Sequence, residues 1–269
     1  MQGLASLGAG MDRAMAYPFK SIWIVGASTG IGRETALEFA RRGVTVFASA
    51  RRAALLEELA REAPEGRIIP VPVDAVDREA MLAAYAHIEQ GHGVPDALLF
   101  AAATHAPERS CQAVAPVCGP VFEVNVSGCL HMLEAALPAL RARRSGRVAI
   151  ISSVAGFRGL PRALAYGASK AALTHIAEAL WFECRRDGVA VQVVHPGFVK
   201  TPLTANRDFT MPFLMSADEA ARRIVDGMTK GGFEITFPRR FTYFLKFLRV
   251  LPYGIYLRLV AHATRGLVR

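Results

Sequence analysis

The run Gly26-Ala27-Ser28-Thr29-Gly30-Ile31-Gly32 constrains the fold more than any other stretch of the chain. It follows an apolar segment of strand character, Ser21 to Val25. It precedes a helical pattern from Ile31 to Arg42, in which Ala36, Leu37, Phe39 and Ala40 share one face. A strand, a glycine turn and a helix in that order let backbone approach a phosphate closely. The glycines permit the tight turn, and the helix start presents N–H groups that lack intrahelical partners. A bare connection would need neither three glycines nor this placement. Gly26, Ser28, Thr29, Gly30, Ile31 and Gly32 are therefore candidates for holding a dinucleotide.

The second strand, Val44 to Ala50, sharpens the ligand. In dinucleotide-binding folds an acid near this strand's end bonds the ribose hydroxyls. Here the strand ends in Ser49 and Ala50, and Arg51 and Arg52 follow, while Arg33 stands just after the glycine turn. Guanidinium groups suit a 2′-phosphate, which a carboxylate would repel. The preferred cofactor is NADP(H), with NAD(H) as the alternative.

Strands and helices alternate to the end. A helix at Ala53–Arg61 leads to a third strand, Arg67 to Val73, whose two prolines suit a place near the sheet edge. Asp74 closes that strand, and Asp77 is the expected N-cap of a helix running to about Gln90. A fourth strand at Ala97–Ala101 precedes one long helix from about Pro116 to Arg143. A fifth at Arg147–Ser152 precedes a helix ending near Arg186, and a sixth at Val189–Val194 ends in His195-Pro196-Gly197. Ser216 with Glu219 reads as a capping box for a helix to Lys230. Glu234–Pro238 is the seventh strand. This pattern predicts an α/β fold with a doubly wound parallel sheet of about seven strands, of Rossmann type. It also predicts one catalytic domain over residues 20–238, after an N-terminal extension at 1–19 that lacks the character of a secretory signal.

Composition narrows the function. The formal charge is +9, but the basic residues are scattered and no basic stripe is interleaved with aromatics, which argues against nucleic acid. The 4 cysteines include no Cys-x-x-Cys and no histidine at zinc spacing, so no metal is expected. Cys111, Cys118, Cys129 and Cys184 read as reduced thiols of a cytoplasmic protein.

Tyr166 and Lys170 stand four residues apart, which puts both side chains on one helix face. A lysine ammonium beside a phenol favours the phenolate and makes the tyrosine a general acid/base. Ser153 lies thirteen residues upstream, at the end of the fifth strand. Two hydroxyls meeting at one carbonyl oxygen would act where negative charge develops during reduction.

These pieces, taken with Asp74, Asn125-Val126-Ser127-Gly128, Ile151-Ser152-Ser153, Tyr166-Gly-Ala-Ser-Lys170, Pro196-Gly197 and Thr201, resemble the classical short-chain dehydrogenases/reductases over roughly residues 20–205. The resemblance implies a catalytic tetrad. Tyr166 is the acid/base. Lys170 bonds the nicotinamide ribose and lowers the Tyr166 pKa. Ser153 holds the substrate oxygen, and Asn125 supports a proton-relaying water. Pro196, Gly197, Val199 and Thr201 would shape the nicotinamide end, and Asp74 would also contact the cofactor. The family's usual Asn-Asn-Ala-Gly after the fourth strand is replaced by Phe100-Ala-Ala-Ala103, a departure in local sheet and cofactor support. His105, just beyond, reads as an ordinary loop histidine. The family usually pairs subunits through the helices holding Asn125 and Tyr166, which implies a homodimer or homotetramer.

Residues 198–215 occupy the position of a lid. Phe209, Met211, Phe213, Leu214 and Met215 make it apolar. Val154, Ala155, Phe157, Leu160, Phe198 and Phe213 are the candidate substrate pocket, which favours a small apolar ketone, aldehyde or alcohol. Residues 239–269 form an apolar, basic tail broken at Pro252, with Phe241, Phe244, Leu245, Leu248 and Leu251 on one helical face. A lid or dimer element packed on the body is preferred for it, and a peripheral membrane helix is the alternative. Two rival functions stand beside an NADP(H)-dependent carbonyl reductase: a 3-oxoacyl-thioester reductase, and a non-catalytic dinucleotide sensor or scaffold. Retention of all four catalytic positions disfavours the sensor.

Overall fold

A computed structural model of the chain describes residues 19–105, 114–205 and 211–265. Residues 1–18 of the expected extension, Cys111, and Phe209 of the expected lid lie outside the described residues.

Seven parallel strands form one sheet: β1 Ser21–Val25, β2 Thr45–Ser49, β3 Ile68–Pro70, β4 Ala97–Phe100, β5 Gly146–Ile151, β6 Val189–Pro196 and β7 Glu234–Phe237. Their spatial order is β3-β2-β1-β4-β5-β6-β7. This is the doubly wound α/β arrangement expected, and the order reverses between β1 and β4. Ligands in such sheets bind beyond the strand C-termini at that reversal. The glycine turn leaves the end of β1 at that point.

Alternation along the strands feeds two cores. Ile22 and Ile24 of β1 face one side with Val46 and Ala48 of β2. They pack on α1 (Gly30–Arg41), α2 (Ala53–Glu62) and α7 (Ala217–Lys230), whose Leu37, Phe39, Leu59 and Ile224 are buried there. Trp23 and Val25 face the other side with Phe47. They meet α3 (Arg78–His92), α5 (Gly128–Arg143) and α6 (Leu164–Cys184) through Met81, Met132 and Leu173. Strands covered on both faces read as near-continuous apolar runs, which is how they stand in the sequence.

Several local expectations change. β3 is shorter than the predicted Arg67–Val73; Val71 and Val73 still donate to Ala48 O and Ala50 O at 2.8 and 3.1 Å, while Pro70 and Pro72 take the alternate positions that face the open edge and need no ladder donor. Asp77 caps α3 as expected, its Oδ1 accepting from Ala80 N at 2.9 Å. The long helix from Pro116 is divided into α4 (Val114–Phe122), a π turn (Glu123–Ser127) and α5. The capping box at Ser216 does not form. Ser216 makes no cap bond, its hydroxyl engages Asp218, and Glu219 instead accepts from Arg223 at 2.6 Å. The tail folds as α8 (Arg239–Arg249) and α9 (Tyr253–Ala263), broken before Pro252. Phe244 leaves the expected packed face: it is exposed, whereas Phe241, Leu245, Leu248 and Leu251 are half-buried.

Candidate active site

A groove opens where the sheet order reverses. Its walls include Gly26, Ser28, Thr29, Gly30, Ile31, Gly32, Arg51, Arg52, Asp74 and Thr201. Gly26 has φ +97, and a Cβ there would sit 2.6 Å from the Ala101 carbonyl carbon. Only glycine lets the turn lie this close to β4. Where the family's Asn-Asn motif is absent, Ala101, Ala102 and Ala103 line the groove beside the turn. Thr29 makes no side-chain cap bond, which leaves the first N–H groups of α1 available to an anion. The glycine cradle and the uncapped helix start fit the phosphates of a dinucleotide.

Arg51 and Arg52 are exposed at the end of β2, and Arg52 Nη2 reaches Ser28 Oγ at 3.3 Å. Arg33 departs from expectation. Its guanidinium donates to Glu34 at 2.8 Å and to Glu62, so two carboxylates already claim it and it lies outside the groove lining. Burial opposes its charge, but the bonds to Glu34 and Glu62 raise its pKa overall. Pro196, Gly197 and Val199 also lie outside that lining. They belong to the connection from β6 to the lid: Gly197 N donates to Phe237 O at 2.7 Å, and Val199 bridges to Met215. Ala75, Val124, Pro202 and Leu203 line the groove without having been singled out, because small apolar residues carry no distinguishing pattern.

The segment after β5 and the helix α6 meet in a close backbone contact. Ser153 ends the extended segment after β5, and its Oγ accepts from Ala155 N at 3.1 Å, opening a 3₁₀ turn at Val154–Gly156. Gly156 presses on α6: a Cβ there would lie 2.7 Å from the carbonyl carbon of Lys170. Lys170 is buried, and its Nζ donates to Ile151 O at 2.8 Å while standing 5.6 Å from the Tyr166 ring centroid. Desolvation lowers its pKa to about 8, with Cys129 opposing the shift weakly.

Asn125 is fully buried in the π turn, a kind of irregularity that often marks function. Its Oδ1 accepts from Thr104 N at 2.7 Å, and its Nδ2 donates to Thr104 O at 3.1 Å and Ser169 Oγ at 2.9 Å. Ser169 Oγ in turn donates to Tyr166 O at 2.8 Å. The Asn125 side chain thus ties the loop after β4 to the helix turn bearing Tyr166. His105, read as an ordinary loop residue, places its ring 5.3 Å from that of Tyr166.

The apolar candidates divide. Phe157 is buried with its ring 4.7 Å from His195 and within 5.9 Å of Lys246 Nζ, so it packs beneath the tail. Val154 is likewise buried, and Leu160 is half-buried. Phe198 and Phe213 meet Phe241 of α8 at 5.7 and 5.9 Å, which joins the segment after β6 to the tail. His195 Nδ1 lies 2.6 Å from Glu234 Oε1, and Lys246 also pairs with Glu234. Burial opposes the Glu234 charge, but these two partners outweigh it and lower the pKa. Among the described residues no cluster of three or more potential metal ligands occurs.

The family model described as short chain dehydrogenase matches residues 20–211. A protein of Myxococcus xanthus described as an uncharacterized oxidoreductase is 35% identical over 236 residues, covering 87% of this chain and 93% of its own. A 3-oxoacyl-(acyl-carrier-protein) reductase of Thermotoga maritima is 30% identical over 183 residues, covering 67% of this chain and 74% of its own. The crystal structure of a short-chain dehydrogenase from Streptomyces avermitilis superposes with TM-score 0.76 at 24% identity, over 92% of this chain and 97% of that one, and bears on the fold alone. The glycine turn, the Tyr166–Lys170 helix face and the matched span agree, and the chain belongs to the short-chain dehydrogenase family of oxidoreductases.

Proposed function

We propose that the chain is an NADP(H)-dependent oxidoreductase interconverting a hydrophobic ketone or aldehyde and its alcohol. The observation that carries this reading is the buried Lys170 ammonium, pKa lowered to about 8, on the helix face of Tyr166. A cation there stabilises the phenolate that remains after proton transfer.

The groove residues Gly26, Thr29 and Gly30 would hold the pyrophosphate, Asp74 would contact the adenosine portion, and Arg51 and Arg52 would receive the 2′-phosphate. When bound, the cofactor supplies the hydride. In reduction, the Ser153 hydroxyl and the Tyr166 phenol donate hydrogen bonds to the carbonyl oxygen. Tyr166 passes its proton to that oxygen as negative charge develops. Lys170 offsets the charge left on the phenol oxygen. Asn125 holds the helix turn in register through Ser169. The helices bearing Asn125 and Tyr166 are the proposed subunit contact.

The test is NADPH consumption across a panel of ketones and aldehydes, with NADH in parallel. Tyr166→Phe should abolish turnover while NADPH binding is retained. Near-normal turnover by that variant would sink the mechanism. A second reading, a 3-oxoacyl-thioester reductase, is favoured by the likeness to the Thermotoga maritima protein. Including a 3-oxoacyl thioester in the panel separates the two by relative kcat/KM.

A further inference from the structure

The α8–α9 pair is fastened on one side and bare on the other. On the inner side Arg158 Nη1 donates to the carbonyls of Leu248, Arg249 and Leu251 at 3.3, 3.0 and 2.6 Å. Tyr256 is buried and its hydroxyl donates to Gly159 O at 2.7 Å. The outer side is apolar. Tyr243 and Phe247 of α8 and its C-cap Val250 follow one another at i, i+4 and i+7, with exposures of 54%, 62% and 75%. On α9 Leu257 continues the apolar surface at 58%, beside Tyr253, which is 73% exposed although one face of its ring meets the Arg158 guanidinium. Apolar side chains so grouped and so exposed mark a contact surface.

Charge selects the occupant. Residues 239–265 contain Arg239, Arg240, Lys246, Arg249, Arg258 and Arg265, and no aspartate or glutamate. Lys246 is paired with Glu234, and the five arginines have no acidic partner among the described residues. A second copy presenting this face would set like charges against each other. An anionic bilayer accommodates both features: aromatic and aliphatic side chains enter the headgroup boundary, and arginines meet lipid phosphates. Each helix has 11 residues, about half of what a bilayer span requires, and no helix among the described residues is long and apolar enough to cross a membrane. The pair suits lying on a surface.

We propose that α8 and α9 form a docking face for an anionic lipid bilayer. The face reaches the lid, where Phe213 and Leu214 are exposed and Phe213 contacts Phe241. On the proposed reading that this segment covers the substrate site, docking brings apolar molecules dissolved in the membrane to its entrance. The packed role preferred from the sequence belongs to the inner face alone.

The experiment is sedimentation of the full chain with vesicles of phosphatidylglycerol and phosphatidylcholine, beside vesicles of phosphatidylcholine alone. Partition should be at least about tenfold stronger on the anionic vesicles and should weaken with added salt. Phe247→Glu and Leu257→Glu, both at exposed positions, should each lose most of it, with unchanged thermal unfolding. Absence of binding to anionic vesicles overturns the proposal, as does equal binding to both kinds. Dissociation of an oligomer by Phe247→Glu, without vesicle binding by the parent chain, assigns the face to a second copy and overturns it too.

Discussion

Lys170 Nζ donates to the carbonyl oxygen of Ile151 at 2.8 Å, so the ammonium of the proposed catalytic pair is held by the last residue of β5. Burial takes its pKa from 10.5 to about 8. The folded chain therefore binds fewer protons than the unfolded chain between those values, and stability rises with pH across that window. This contribution is complete above 10.5 and is lost as pH falls through 8. Thermal unfolding of the ligand-free chain, compared with Lys170→Met from pH 7 to 10, should show the parent gaining relative to the variant as pH rises. A constant difference would mean that Lys170 is not desolvated. The variant should also lose turnover.

The contact of Gly156 with the Lys170 backbone predicts a sharp asymmetry between two glycines. A Cβ on Gly156 would meet the Lys170 carbonyl carbon at 2.7 Å and Ala171 N at 2.8 Å, both backbone atoms that move only with α6. Gly91, in the last turn of α3, has nothing within 4 Å of the equivalent position. Gly156→Ala should destabilise by about 2 kcal/mol and depress kcat, because Ser153 and Tyr166 shift relative to each other. Gly91→Ala should be neutral or stabilising by up to about 1 kcal/mol, since alanine is the better helix former. Urea unfolding of both variants checks the pair.

The frame of the molecule was legible because strand and helix periods differ and punctuation was strong. Ser21–Val25 and the turn after it appear where the sequence places them, as does the Asp77 cap. The Tyr166–Lys170 pair follows from helix spacing alone. What was hidden depends on distant partners. Nothing near Asn125 signals a π turn, since the same residues suit an α-helix; the turn is held by Thr104 and Ser169, on other elements. Arg33 looked free for a phosphate until Glu62, twenty-nine residues on, was seen to engage it. Phe157 is apolar in a loop near the catalytic serine, yet His195 and Lys246 draw it inward. Periodicity gave the tail its inner face and left its outer stripe unread, because Tyr243 and Phe247 lie outside the Phe241–Leu245–Leu248 face that the spacing picks out.

The division among the arginines predicts which of them reads the cofactor. Arg51 and Arg52 are exposed at the groove, whereas Arg33 is engaged by Glu34 and Glu62. Removing both groove arginines, as Arg51→Ala with Arg52→Ala, should raise KM for NADPH by about 10- to 100-fold and leave that for NADH nearly unchanged, the loss expected for charge-assisted bonds to a phosphate. Arg33→Ala should change the ratio of the two cofactors by less than about threefold, within the range of an exposed ion pair. Initial rates with both cofactors decide the matter. An equal effect on NADPH and NADH in the double variant would refute 2′-phosphate recognition at this corner.

Arg158 joins the loop between β5 and α6 to the tail through two kinds of contact at once. Besides its three carbonyl acceptors around the end of α8, its guanidinium lies 4.3 Å from the Tyr253 ring centroid and 4.1 Å from that of Tyr256. Those carbonyls lie at and just past the end of α8, so the guanidinium acts as a cap supplied from ninety residues away. Its planar fork serves the acceptors and the two rings together, which an ammonium does not reproduce. Arg158→Ala should therefore loosen residues 239–263 selectively. Hydrogen exchange across α8 and α9 should quicken by about tenfold or more, corresponding to the loss of one or two charged hydrogen bonds, while β1, β4 and β5 keep their protection. Arg158→Lys should restore little of it. Uniform quickening across the sheet would instead make Arg158 a general stabiliser and leave the tail without a specific anchor.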